Sequence, residues 1–449
     1  MVAWALDASA EAAPGVLPEA ARQLQEYLQI DTTNPPGNEK AAAELLAGWL
    51  RALGGEPRLL ASPAGRTSVY ARFAASAAPC ARGGAGLLLL HHLDVVPAGE
   101  GWQAAPFSGR LEGGKIWGRG AIDIKSLGIA QLAALGQLLR GGHRLCRDVV
   151  YLGVADEEAG GGQGTAFLLD HHPELFTGID AVINEGGSNR TFGGRQVYWG
   201  IEVVQKRPFW LKVSSGGRGG HGSRYSPGSA THQLIRGLAK LVDLPPRYRL
   251  TDAARTYFGA LAGLEGKSPA AAVLELEKQI RPDGPVPPLQ AGLPVFFLDT
   301  LQVTEINTGQ GINVVSPVAS AEIDIRLLPD TDSAAFLAEI QKLLGPELEV
   351  EVLLASPPAP ASRLDHPLYQ TFVEVLGQRA PVIPSFLPGT TDSRYFRARG
   401  IAAYGLSPFS IEGQDLKGIH APDEYIRLDD FLRGVETTRR LLERYAAAP

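Results

Sequence analysis

A histidine and a carboxylate stand two residues apart where an aliphatic run ends: the block GAGLLLLHHLDVVP carries His92 and Asp94. Alternate side chains of an extended segment point to one side, so these two can work together while His91 faces the other way. A short aliphatic run reads as a buried strand, and open α/β sheets place their sites at the carboxyl ends of such strands. A neutral imidazole is a common transition-metal ligand, and a ligating histidine usually gives its other N–H to a carboxylate. On its own the block is equally a strand end finished with polar residues.

Four further blocks end a strand or turn in a candidate ligand. WGRGAIDIK places Asp123 after a glycine turn, VADEE places Glu157 and Glu158 after a strand, INEGG places Glu185 after the next strand, and GIHAPDE supplies His420. Any one of these is more often a cap or a satisfied polar group. Jointly they say more, because successive parallel strands would deliver them to one sheet edge, where uncompensated carboxylates repel. A pair of divalent cations resolves that repulsion. Imidazole and carboxylate ligands suit zinc, with cobalt or manganese as alternatives. Two ions about 3.5–4 Å apart can share one water and lower its pKa. Adjacent residues of extended chain point apart, so one of Glu157 and Glu158 can ligate while the other takes and returns a proton.

The elements that must position these groups follow from pattern. Residues 18–30 and 39–54 have helical spacing, separated by the turn-rich DTTNPPGN. Strands are expected at 68–74, 86–92, 148–155 and 181–184, with helices at 122–139 and from 165. This alternation implies an α/β domain with a mostly parallel central sheet flanked by helices. Beyond about residue 205 the texture changes to strands at 209–215, 296–304 and 318–328 and helices near 229–242 and 333–344. This is the pattern of a smaller inserted α+β sandwich. Residues 250–295 read as an insertion with a helix near 269–279. After about 356 the first texture returns, with helices at 367–378 and 428–446 and a strand at 402–405. A discontinuous catalytic domain of residues 1–204 and 356–449, interrupted by a lid or dimerisation domain of 205–355, is the expected organisation.

HLDVVP, GRGAIDIK, ADEE, INEGG, GGHGS and IHAPDE occur in this order, and with them the chain resembles the dinuclear zinc amidohydrolases and exopeptidases. That family includes aminoacylase, acetylornithine deacetylase, succinyl-diaminopimelate desuccinylase and glutamate carboxypeptidase. The resemblance runs from about Leu17 to Arg444. WQAAPFSG, HHPELF and GTTDSRYF look most like the carboxypeptidase and N-acyl-amino-acid hydrolase branch. It implies that His92 and Glu185 hold one metal, that Glu158 and His420 hold the other, and that Asp123 bridges them. Glu157 would be the general base and Asp94 the group behind His92. His221, in SSGGRGGHGS, would reach into a partner subunit's site and support the oxyanion, which requires a homodimer formed through the inserted domain. Arg326 would grip a substrate carboxylate, Asn313 a polar oxygen near the scissile bond, and Gly389 and Thr390 that same carboxylate. Arg119 and Lys125 would be structural ion-pair partners. The implied activity is hydrolysis of the amide bond to a free C-terminal amino acid in a short peptide or N-acyl amino acid. A biosynthetic deacylase, or a non-catalytic scaffold of the same fold, is the alternative.

Composition narrows the rest. The chain has 449 residues, 45% hydrophobic and 20% charged, with a formal charge of −6. Two domains are the prior at that length, and neither a nucleic-acid surface nor a polybasic membrane anchor is indicated. The expected partner is a small-molecule substrate. Cys80 and Cys146 are the only cysteines and are expected as unpaired thiols in a reducing compartment. The opening segment MVAWALDASAEAAPG lacks a basic n-region and does not read as a signal peptide. No apolar run approaches the roughly 20 residues of a membrane span. The cytoplasm is the expected location.

Overall fold

The computed structural model describes residues 17–78, 80, 85–281, 287, 289, 292–309 and 311–448. The opening segment and the greater part of RPDGPVPP lie outside them. Among the described residues no helix is long and apolar enough to cross a membrane.

The chain begins with helices α1 (Glu19–Leu28) and α2 (Glu39–Ala52), then strands β1 (Arg58–Ala61), β2 (Thr67–Phe73) and β3 (Gly86–His92). Helix α3 (Lys125–Arg140) leads to β4 (Val149–Val154), and α4 (Thr165–His171) leads to β5 (Ile179–Asn184) and the long β6 (Arg195–Gln205). A second set of elements follows: β7 (Arg207–Gly216), α5 (Ala230–Val242), α6 (Asp252–Leu264), α7 (Pro269–Gln279), β8 (Thr300–Asn307), β9 (Val318–Leu327), α8 (Ser333–Leu344) and β10 (Glu349–Ala355). The chain closes with α9 (Pro367–Leu376), β11 (Val382–Leu387), α10 (Ser393–Arg397), β12 (Ala402–Gly405) and α11 (Leu428–Ala446).

Eight of these strands form the main sheet in the order β1-β2-β4-β3-β5-β12-β6-β11. The central neighbours β4, β3, β5 and β12 all run parallel. Their carboxyl ends therefore share one edge, and crossover helices must cover both faces. The aliphatic run of β3 shows how: Leu87 and Leu89 pack toward α1, α2, α3, α9 and α11, and Leu88 and Leu90 pack toward α4 and α10. By the same alternation His91 belongs to the first face. It is buried against Tyr27 and Tyr151, neither ring nitrogen has a partner, and burial pushes its pKa down to about 3. It is a neutral core residue.

Strands β8, β9, β7 and β10 make a separate antiparallel sheet in that order. Phe209, Leu211, Val213, Ile323 and Ile325 pack beneath α5 and α8 with Leu234, Leu238 and Ile340. Trp210, Lys212 and Ser214 of β7 face the other way and are half-exposed. The segment between α5 and β8 does not stay with this sheet. Tyr248, Ala254, Tyr257 and Phe297 join the core of the main sheet, where α6 packs on β11. An otherwise open edge strand is thereby covered.

Two expectations are corrected. Cys80 and Cys146 form a disulfide rather than remaining free thiols; Arg147, next in sequence to Cys146, places its Nε 3.1 Å from the Cys80 sulfur. Lys125 makes no ion pair of the expected kind. Fully buried, it donates from Nζ to the carbonyls of Ile30 at 2.7 Å and Tyr27 at 3.2 Å, because α1 ends over its side chain. Arg119 does pair, with Glu424 at 2.8 Å.

Candidate active site

His92 is the last residue of β3, Glu157 and Glu158 follow the end of β4, and Glu185 follows β5. Parallel register of the three strands brings them to one place. The His92 Nδ1 lies 2.8 Å from the backbone oxygen of Asp94. Its Nε2 is left to face the cluster, 3.1 Å from Asp123 Oδ1 and 3.8 Å from Glu185 Oε1. His420 mirrors this arrangement: its Nε2 is 3.2 Å from Asp123 Oδ2 and 3.4 Å from Glu158 Oε1. Each oxygen of Asp123 thus faces a different imidazole, and each imidazole has a second carboxylate beside it. Ligand atoms of His92, Glu157 and Glu185 lie within 4.8 Å of one another, as do those of His92, Asp123 and Glu158.

The electrostatics of this donor set fit a pair of divalent cations. Burial pushes Glu157 well above the usual carboxylate range, and Glu185 adds to the effect. Burial does the same to Glu185, reinforced by Asp123 and Glu158 against the opposing charge of His92. Burial alone would discharge His92, but Glu185 and Asp123 outweigh it and hold the imidazole well above its ordinary pKa. Contacts with Asp123 and Glu158 raise His420 to about 10. Glu158 Oε1 is buried without a hydrogen-bond partner. A cluster that must otherwise hold protons on both carboxylates and imidazoles gains the same compensation from bound metal.

A ring of buried groups holds these side chains. Glu157 and Glu158 lie on a one-turn 3-10 helix, Glu157–Ala159, and not on the extended chain expected from the sequence. Its two leading N–H groups donate to the Asp94 carboxylate, Glu157 to Oδ1 and Glu158 to Oδ2, each at 3.1 Å. Asn34 donates to the same carboxylate at 2.8 Å. The carboxylate is 3.7 Å from His92 Nδ1. Asp94 therefore steadies His92 through its carbonyl and the Glu157–Glu158 turn through its side chain. Arg66, tied to Glu39, donates to Asp156 at 2.6 Å, which enters the turn at a φ of 73°. On the other side Glu424, fully buried, accepts from the N–H groups of Gly120 at 3.1 Å, Ile122 at 2.7 Å and Asp123 at 3.1 Å. The Asp123–Ile124 peptide is cis. Asn34, Arg66 and Glu424 escaped the sequence reading; only Glu424 carried a signal, its place in the IHAPDE block.

The remaining expected residues do not join the cluster. His221 is exposed and its Nδ1 lies 2.8 Å from Ser223 Oγ. It pairs with Val314 in a two-residue ladder, and the next N–H, of Gly222, donates to the Asn313 carbonyl at 2.7 Å. His221 and Asn313 are thus brought to each other and not to the metal-ligand candidates. Arg326 donates to Asp324 at 2.7 and 3.0 Å, on the sheet face where Trp210 also reaches Asp324. Gly389 and Thr390 follow β11, half-exposed.

The family model for Peptidase family M20/M25/M40 matches residues 88–444. The chain belongs to that family. Human aminoacylase-1 is 30% identical over 373 residues, covering 81% of this chain and 80% of its own. Among solved structures, an M20 family metallo-carboxypeptidase from Sulfolobus solfataricus superposes with a TM-score of 0.74 at 22% identity, covering 96% of this chain and 99% of its own. A dinuclear metal-binding M20 peptidase from Bacillus subtilis has the same fold, with a TM-score of 0.54 at 12% identity and coverage of 94% and 97%. As a member of the M20 family the chain is a metal-dependent hydrolase with a mostly parallel α/β core.

Proposed function

We propose that this M20 chain hydrolyses the amide bond that joins an acyl group or short peptide to a free C-terminal amino acid. The observation that carries the reading is the division of Asp123 between two imidazoles. His92 and Glu185 would hold one ion, His420 and Glu158 the other, with Asp123 between them. Zinc suits these nitrogen and carboxylate donors. Bound there, two divalent ions would polarise a water and the scissile carbonyl.

The chain's own groups do the rest. Glu157 shares the cluster but has no imidazole of its own, and it takes the proton from the attacking water. It then returns that proton to the leaving nitrogen. The C–N bond breaks as the acyl carbon gains the water's oxygen, leaving a carboxylate and a free amine. Arg326, already oriented by Asp324, offers a planar guanidinium to the amino acid's carboxylate, with Thr390 and Gly389 as further donors. His221 and Asn313 act on the site of a second copy. The exposed Tyr225, Ile312 and Val314 beside them support a homodimer through the part of residues 205–355 that forms the second sheet; the rest of that insertion packs with the catalytic domain of 1–204 and 356–449.

The test is metal analysis of purified protein, followed by kinetics on N-acetyl amino acids, dipeptides, acetylornithine and succinyl-diaminopimelate. Two bound ions and turnover of N-acyl amino acids or dipeptides support the reading. Absence of metal with no zinc- or cobalt-restored turnover ends it, and preference for the last two substrates would make the chain a biosynthetic deacylase. A cytoplasmic location, the other half of the expectation, requires the Cys80–Cys146 bridge to open in the cell. Alkylation during extraction would then trap two free thiols.

A further inference from the structure

Thr390 has no freedom in how its hydroxyl bonds. Its Oγ1 accepts from Gln205 Nε2 at 3.0 Å and from Arg394 Nη1 at 3.1 Å. Gln205 Nε2 also donates to the Thr391 carbonyl at 2.7 Å, which fixes that atom as the nitrogen, and a guanidinium can only donate. A hydroxyl has two acceptor sites and one proton. Both acceptor sites are therefore filled, and the proton has no acceptor among the described residues.

Arg394 is fully buried and does a second thing. Its Nη2 donates to the Gly160 carbonyl at 2.8 Å, where the Tyr395 hydroxyl also donates at 2.6 Å. Gly160 closes the turn that carries Glu157 and Glu158, and its own N–H donates to the Glu157 carbonyl at 2.8 Å. The two segments touch with no room to spare: a Cβ on Gly161 would lie 2.4 Å from Asp392 Oδ1.

We infer that Gln205 and Arg394 are positioning residues that make Thr390 a donor only, matched to a substrate oxygen and most strongly to an anionic one, and that Arg394 with Tyr395 locks this donor to the Glu157–Glu158 turn. The inference rests on the hydrolase reading for its substrate. It adds two consequences. Recognition of the carboxylate depends on residues that never touch it, and the grip on the substrate and the placement of the base are set by one guanidinium.

The experiment compares an N-acetyl amino acid with its C-terminal amide, which lacks the anion. Kinetics use metal-loaded protein, and calorimetric affinities use a Glu157→Gln background. Gln205→Met should weaken binding of the acid by about 10–100-fold, the span of a hydrogen bond to a charged group, and of the amide, whose carbonyl oxygen is an uncharged acceptor, by only about 2–10-fold. Thr390→Val should do the same, and the double variant should lose no more than either alone. Tyr395→Phe should lower kcat on both substrates by about 10-fold with KM and metal content unchanged, since small misplacements of a catalytic group are costly. Arg394→Lys should show both effects. An unchanged acid-to-amide ratio in Gln205→Met and Arg394→Lys, or a Tyr395→Phe protein that changes only in Tm, overturns the inference. Wild-type protein that turns over neither substrate defeats the hydrolase reading. The ratio of affinities still decides this one.

Discussion

The sheet edge that carries His92 and the hairpin that carries His221 hold the same kind of residue in opposite ways. His92 is 2% exposed, with one nitrogen fixed by a backbone carbonyl and the other facing two carboxylates. Around it Asp94 ties the backbone of the Glu157–Glu158 turn, Glu424 ties that of the Asp123 turn, and Arg66 holds the Asp156 carboxylate at the entry to the first. His221 sits on a two-residue ladder, its side chain bonded among the described residues only to a serine two positions on, beside an isoleucine and a valine open to solvent. The first region is assembled by the fold of one chain. The second has side chains suited to chemistry and, among the described residues, no candidate metal ligand bonded to them, and for that reason its completion by a second copy is part of the proposal.

The comparison breaks most visibly at Glu157. Glu157→Gln should cut kcat by about 10²–10⁴, the worth of a general base, with both metals retained; unchanged kcat would remove Glu157 from the role of base. His221→Ala should cost about 10²–10³ in kcat, as removal of an oxyanion donor does. Mixing His221→Ala with Glu157→Gln protein should then restore activity, because a mixed dimer has one site with both groups intact. No recovery in mixed dimers would move His221 back to its own chain or out of the reaction. Asp94→Asn should lower metal affinity or activity about 10–100-fold, as loss of a supporting carboxylate does, while Asn313→Ala should leave metal content alone.

The smallest effect is one of pH on metal-free protein. His420 has a folded pKa of about 10 against 6.5 unperturbed. A raised pKa contributes stability that is full below the unfolded value and lost as pH rises through the folded one. The Tm of the metal-free chain should therefore fall between about pH 7 and 10, and metal loading should flatten the slope because the proton is displaced.

What could be read from sequence followed from local pattern. The strand at 86–92, the helix at 333–344 and the final helix at 428–446 coincide with β3, α8 and α11, because their apolar spacing is strong. Strand β11, VIPSFL, was missed: Pro384 interrupts it, and proline argues against a strand. Helix α6 was missed because its sequence, DAARTYFGALAGL, carries two glycines that weaken a helical reading. Among site residues, the candidate ligands announced themselves by type and, for His92, Glu158 and Glu185, by the strand ends before them. Their supports did not. Glu424 meets the Asp123 N–H across 301 residues of chain, and Arg394 meets Gly160 across 234. No local spacing encodes such a partner.

The return of residues 248–297 to the main sheet changes the mechanics of the smaller one. The polypeptide crosses between the two bodies after Gln205, before Tyr248, after Phe297 and at Ser356, whose N–H donates to the Pro208 carbonyl at 3.1 Å. A plate hung by two adjacent threads can twist and swing; one hung by four is limited to the rotation whose axis all four share. Cutting the chain once within 250–296 would leave two of those restraints resting only on the packing of Tyr248 and Phe297 in the main core.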